Sequence, residues 1–230
     1  QKYVLNGSIR VDQSNLFGTS ARNQFKPIWS VGAAWHMSQE DFMSGFKDLN
    51  RLTLRLSYGL NGNSPDPGLG GPYDILNAYS SSLYPGAGFK IITPGNDKIS
   101  WERTHVWNFG VDFSLFANRL SGSFDTYYKH TTNLLGEVPL NSVTGWFSAL
   151  GNLGNMNNKG FELTLNSRNV QTDDFEWNTE FTLSHNKNKI TMLKVETAYS
   201  AASMPYANYI EGYAANTLFS YRWAGLSNTG

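Results

Sequence analysis

The run Trp107-Asn108-Phe109-Gly110-Val111-Asp112-Phe113-Ser114-Leu115 decides the fold class. Its large apolar residues occupy every second position, with polar or small residues between them. Successive side chains of a β-strand point to opposite sides, so this run reads as a strand with one apolar and one wet face. The same alternation marks Phe175–Ser184, Phe161–Asn166, Leu52–Tyr58 and Trp29–Trp35. Tyr3–Val11 and Leu120–His130 continue the set, and Leu218–Leu226 carries the pattern less regularly. The result is an all-β chain of about eight strands, many near the ~10 residues of a membrane-crossing β-strand.

Alternation alone does not separate a membrane barrel from a soluble sandwich, whose strands also have one face on a core. The connections are more informative. Ala117-Asn118-Arg119 joins one pair of strands and Gln171-Thr172-Asp173-Asp174 another, while long connections run from Asn61 to Lys98, Asn133 to Asn158 and Thr191 to Asn216. Short and long connections alternate, as do the periplasmic turns and extracellular loops of an antiparallel transmembrane β-barrel. On this count Asp12–Lys26 lies on the long-loop side and Ser38–Asn50 on the short-turn side. The latter is expected to hold a short helix, since Ser38-x-x-Asp41 has capping-box spacing and Phe42 and Phe46 sit four apart. The stretch Asn61–Pro72 is rich in Gly, Pro and Asn, which excludes a helix or central strand. Long structureless loops are uncommon in compact soluble domains and usually serve binding or gating.

The 230 residues include no cysteine, which excludes disulfides and thiolate metal sites. Eighteen basic residues balance eighteen acidic ones, so the dense positive surface required for nucleic acid is missing. No stretch has the ~20 apolar residues of a transmembrane helix, a test to which β-barrels are blind. The chain opens at Gln1 directly in strand-like sequence, as expected of a processed or internal segment.

Candidate chemistry is sparse. His36, His105, His130 and His185 form no HxH or HExxH arrangement, so no metal site is expected. Pro85–Lys90 lacks the spacing of a phosphate loop and reads as a turn. Asn6-Gly7-Ser8 matches a glycosylation sequon but falls inside a strand. No GxSxG elbow occurs, and no acid–base constellation can be assembled, so neither catalytic residues nor a cofactor are expected. Asp112, Asp125, Glu162, Glu176 and Glu180 lie on the wet faces of their strands, as does Arg55. A water-filled lumen suits these six, with Arg55, Lys129 and Arg168 as available cationic partners. Tyr3, Trp35, Trp101, Trp177 and Trp223 lie near strand ends, where an apolar ring with a polar tip suits a membrane interface. Tyr73, Tyr79, Tyr84, Trp146 and Phe147 lie in loops. Packing within the loops and contact with a ligand or partner are equally open to them.

Several stretches, in order, resemble the SusC/RagA family of TonB-linked outer-membrane transporters of Bacteroidota. They are Leu5–Arg10, Pro27–Trp35, Leu54–Asn63, Trp101–Thr104 with Asn108–Phe113, Asn118–Ser123 with Tyr127–Lys129, Asn158–Asn166, Ser184–Ile190 and Tyr221–Leu226. The resemblance implies that residues 1–230 are part of one β-barrel domain of 22 strands. Plug, TonB box and C-terminal strands are expected outside them. It implies a SusD-like surface lipoprotein as lid, TonB–ExbB–ExbD as energy source, outer-membrane lipid around the barrel, and oligosaccharides or peptides as substrates. It leaves open a dimer of transporter–lipoprotein pairs. Two other classes compete: a passive porin or structural outer-membrane barrel, and a soluble β-sandwich adhesin or carbohydrate-binding module. The sandwich requires the apolar faces of Trp107/Phe109/Val111/Phe113 and Phe175/Trp177/Phe181 to pack on each other.

Overall fold

The structure, a computed structural model, describes residues 1–18, 24–64, 70–81, 84–194, 204 and 209–226. Its strands are β1 (Tyr3–Gln13), β2 (Phe25–His36), β3 (Leu49–Asn63), β4 (Ile75–Ser81), β5 (Tyr84–Thr93), β6 (Glu102–Leu115), β7 (Leu120–Pro139), β8 (Ser148–Gln171) and β9 (Glu176–Leu193). Seven of them form one antiparallel sheet in the order β1-β2-β3-β6-β7-β8-β9, and β4 and β5 form a separate hairpin. β1 and β9 stand at opposite edges of the sheet and do not pair with each other.

Register assigns the faces, because residues directly opposite across neighbouring strands share a side. Trp35, Leu54, Val111, Phe124, Leu163 and Leu183 form one continuous row from β2 to β9. Arg55, Gly110, Asp125, Glu162 and Ser184 form the next row, on the other face. The apolar face is open to its surroundings: Leu5 is 82% exposed, and Trp107, Phe109, Trp177 and Phe181 are all exposed as well. No second sheet covers it among the described residues, which removes the sandwich.

The apolar band crosses the hydrogen-bonded rows obliquely. At the short-turn end its border carries Tyr3 and Trp35, opposite each other on β1 and β2 with ring centroids 6.4 Å apart. The row of Trp35 meets β9 at Leu183, whereas the border on β9 is at Trp177, six residues back. The upper border shifts equally. Trp29 marks it on β2, its row meets β9 at Lys189, and the last apolar residue of that face on β9 is Leu183, again six residues back. Six residues at ~3.3 Å against five strand spacings at ~4.8 Å correspond to a strand tilt of roughly 40°. Transmembrane barrels tilt their strands by this amount.

Several sequence expectations need correction. The connection 61–98 contains the β4–β5 hairpin, so Tyr79 and Tyr84 lie in strands and Pro85–Lys90 belongs to β5 rather than to a turn. β7 and β8 run on through most of 133–158, leaving only 140–147 as a connection, with a 3₁₀ turn at Ser142–Thr144. Residues 218–226 form no strand. The expected helix within Ser38–Asn50 is two 3₁₀ turns, Met37–Gln39 and Asp41–Met43, neither with a side-chain cap. Glu40 organises this turn in place of the supposed Ser38 cap. Its carboxylate accepts hydrogen bonds from the Tyr3 hydroxyl (2.6 Å), the Trp35 indole (3.0 Å) and the Lys2 ammonium (3.0 Å).

The buried apolar cluster lies beyond the band, at the long-loop end. Phe17 stacks on Trp101 at 4.3 Å, and Ile99, Leu134, Leu150, Leu153 and Ile190 are also buried. Trp101 therefore belongs to this loop core and not to an interfacial girdle, because Phe17 covers its ring.

Glu40 makes the short-turn end sensitive to acid. The hydrogen bonds from Tyr3, Trp35 and Lys2 pull its carboxyl down to about 2 from the usual 4.5. A depressed carboxylate contributes its full stabilisation above its unfolded value and loses it as pH falls through the folded one. Amide protection over residues 37–48, taken relative to an unstructured peptide at the same pH, is therefore expected to be high at pH 6 and to fall as pH drops from 4.5 towards 2. Glu40→Gln is expected to show the low protection at every pH. Equal protection in both proteins at pH 6 would contradict the assignment.

Candidate functional site

The polar face of the sheet carries the candidate site. β3 places Arg55, β6 places Asp112 and β7 places Asp125 on this face. Arg55 Nε donates to Asp112 Oδ2 (2.8 Å) and Nη2 to Asp112 Oδ1 (3.0 Å), a two-pronged pair. The same Nη2 also donates to Asp125 Oδ2 at 3.0 Å. Asp125 is two strands from Arg55, and the strand between presents Gly110 at the crossing point. A Cβ on Gly110 would stand 2.5 Å from Asp125 Oδ1 and 2.6 Å from Arg55 Nη2. Gly110 is thus the gap through which the guanidinium reaches its second carboxylate.

The same device recurs two strands further. Gly160 on β8 lies opposite Tyr127, and a Cβ there would stand 2.5 Å from the Tyr127 hydroxyl. Across this gap Asn186 of β9 donates to that hydroxyl at 2.6 Å. Lys129 sits over the Tyr127 ring, 4.8 Å from its centroid, and does not meet a carboxylate. Arg168 donates to Gln171 at 3.0 Å. Of the three cations expected to answer the wet-face carboxylates, Arg55 does so.

Glu162 is opposite Asp125 on the same face. Glu180 is opposite Asn166, four residues nearer the short turns, and Glu176 accepts from Asn178 at 2.8 Å. The structure therefore gathers Arg55, Asp112 and Asp125 into one network and leaves Glu162, Glu176 and Glu180 as separate acids on that face. Beside the network is a furrow of ≈ 220 Å³ lined by Asn6, Gly32, Ser57, Asn108 and Gly110 together with Arg55. Val4, Ala33, Ala34 and Leu56 complete its lining. Among the described residues no group of three metal-binding side chains is present.

The loop aromatics divide. Trp146 and the 83%-exposed Phe147 line a cleft of ≈ 420 Å³ with Ile92, Thr93, Gly136 and Glu137, where the β4–β5 hairpin meets the β7–β8 extension. Tyr73 and Tyr79 are exposed outside this cleft. The Tyr84 side chain is outside the described residues. The β4–β5 hairpin was the part of this cleft missed from sequence; its signal was the alternation Leu76, Ala78, Ser80 against Asn77, Tyr79, diluted by glycines.

The family model "TonB dependent receptor-like, beta-barrel" matches residues 1–229. TonB-dependent receptor P3 of Formosa agariphila is 34% identical over 100% of this chain and 24% of its own length. TonB-dependent receptor SusC of Bacteroides thetaiotaomicron is 28% identical over 96% of this chain and 24% of its own. The RagAB peptide importer in its closed-closed state superposes over 100% of this chain and 25% of that one, with a TM-score of 0.84 and 27% identity. The chain thus spans about a quarter of the length of these relatives.

Gly110→Ala is expected to force Arg55 off Asp125 and to destabilise the sheet by about 1–3 kcal/mol in urea unfolding from lipid vesicles. In an Arg55→Ala/Asp125→Ala background the same change should cost almost nothing, because both groups that the added methyl meets are gone. Equal costs in both backgrounds would mean that Gly110 serves another purpose.

Proposed function

Because this chain belongs to the TonB-dependent receptor-like β-barrel family, among its SusC- and RagA-type members, we propose that it forms part of an active nutrient importer. The barrel sits in the outer membrane of a Gram-negative, Bacteroidota-like cell. Its apolar band meets outer-membrane lipid. Arg55, Asp112, Asp125, Glu162, Glu176 and Glu180 line the lumen. The long-loop end faces outward, where a SusD-like lipoprotein closes over it and Tyr73, Tyr79, Tyr84, Trp146 and Phe147 contact lid or substrate. Oligosaccharides or peptides are the cargo, and TonB, ExbB and ExbD supply energy through a plug-bearing part of the protein beyond these residues. Pairs of transporter and lipoprotein assemble further as dimers.

The single observation that carries this reading is the tilted apolar band on an open sheet. Backbone N–H and C=O groups at a bare sheet edge have no partners in lipid, so β1 and β9 must be joined by further strands. A barrel wider than seven strands leaves a lumen that a polar, ion-paired inner face suits.

Purification of the full-length protein from its own membranes tests the proposal. A surface lipoprotein is expected to co-purify. Cells are expected to take up a labelled peptide or oligosaccharide in a manner abolished by a protonophore. Uptake indifferent to the protonophore, with no lipoprotein present, would instead identify a passive porin.

A further inference from the structure

Charge is divided between the two faces of the sheet in a way that the transport reading does not use. Between the short turns and the bulges at Thr131/Leu134 and Asn155/Met156, the apolar face carries four charged residues among those described. They are Arg103 on β6, Lys159 on β8, and Lys187 and Lys189 on β9, and all are exposed. The strand carboxylates Asp12, Asp112, Asp125, Glu162, Glu176 and Glu180 all share the opposite face with Arg55. None of the four cations forms an ion pair among the described residues.

The lysines are also neighbours on the sheet. Lys159 is directly opposite Lys187 and diagonal to Lys189 and His185. Its other neighbour is Tyr128, in the row that holds Tyr58 and Trp107, stacked at 4.2 Å. Lys159 lies two residues past Phe161, and Lys187 four residues past Leu183, the residues that end the band on their strands. With the tilt above, the ammonium groups stand roughly 5–15 Å beyond the hydrocarbon border, at headgroup depth. Lysine is tolerated on the lipid side there, whereas it costs about 2–4 kcal/mol at the midplane.

Like charges directly opposite on neighbouring strands repel. Two lysines facing each other, with a third diagonal and no carboxylate on that side, leave the repulsion unanswered by the chain itself. An anion held between them removes it. At this depth the anions at hand are the phosphates of lipid headgroups.

We propose that Lys159, Lys187 and Lys189, flanked by Tyr128 and His185, form a binding site on the outer wall of the barrel for the phosphate of an anionic lipid in the long-loop leaflet. The inference rests on the transmembrane reading given above. The lysines donate charge-assisted hydrogen bonds to the phosphate oxygens, and the tyrosine hydroxyl and imidazole reach the polar headgroup around it.

The test uses the full-length transporter in neutral detergent, titrated with phosphatidic acid or phosphatidylcholine and followed by native mass spectrometry. Wild type is expected to retain phosphatidic acid preferentially, and affinity is expected to fall by about fivefold for each lysine changed to Gln. Lys129→Gln, on the opposite face, should leave binding unchanged. Inorganic phosphate at the same concentration should not displace the lipid; if it does, the site holds a free anion and the proposal fails. Equal retention by wild type and the triple variant K159Q/K187Q/K189Q overturns it as well, as does loss of a co-purifying protein in place of lipid. A protein that retains no lipid of either kind would count against the membrane reading itself, so the two failures are distinguishable.

Discussion

A polypeptide in hydrocarbon must pair every backbone N–H and C=O within itself while presenting apolar side chains to its surroundings. The seven-stranded sheet meets both demands by means of its register. Continuous ladders from β1 to β9 pair the backbone, and the row from Trp35 to Leu183 faces outward across six strands. A slip of one residue between any two strands would turn half of that surface inside out. The two short turns help to hold the alignment. Phe116, Ala117 and Asn118 take positive φ of 55°, 54° and 66°, an unfavourable conformation offset by hydrogen bonds from Phe116 N to Asp48 O and from Asn118 N to Asn50 Oδ1.

The inner face follows from the same constraint. With one face given over to apolar side chains, charged residues needed by the chain are confined to the opposite face or to the border of the apolar band. Arg55 with its two aspartates illustrates the first outcome, and Lys159, Lys187 and Lys189 the second. Glycine has a spatial role on the inner face. Gly110 and Gly160 each remove a side chain so that a long neighbour can reach across a strand, which ties β3 to β7 and β7 to β9 without altering the ladder. The contacts are part-exposed, so their electrostatic contribution is modest and their geometric effect the larger one.

Beyond the membrane band the rules change. With water on all sides, the long-loop end builds a small core of its own around Phe17, Ile99 and Trp101, bound to β8 where Asn152 accepts from Ser100 N and donates to the carbonyls of Ser100 and Asn133. This is where sequence expectation was weakest. Trp101 has the composition of an interfacial residue and becomes a core residue because Phe17, far away along the chain, lies on its ring.

Period-two alternation is local, and it alone determined which residues are strands and which side each faces. Trp107 through Leu115, Leu52 through Tyr58 and Phe161 through Asn166 were legible for that reason, as was the wet-face position of Arg55, Asp112 and Asp125. Motifs in family order added the kind of barrel. Register, tilt and pairing partners are decided between residues distant in sequence, by ladders that no local pattern encodes. Only the tertiary structure could show that Arg55 answers both aspartates through the gap at Gly110, that Glu40 rather than Ser38 anchors the first turn, and that three lysines from two strands gather beyond the apolar border.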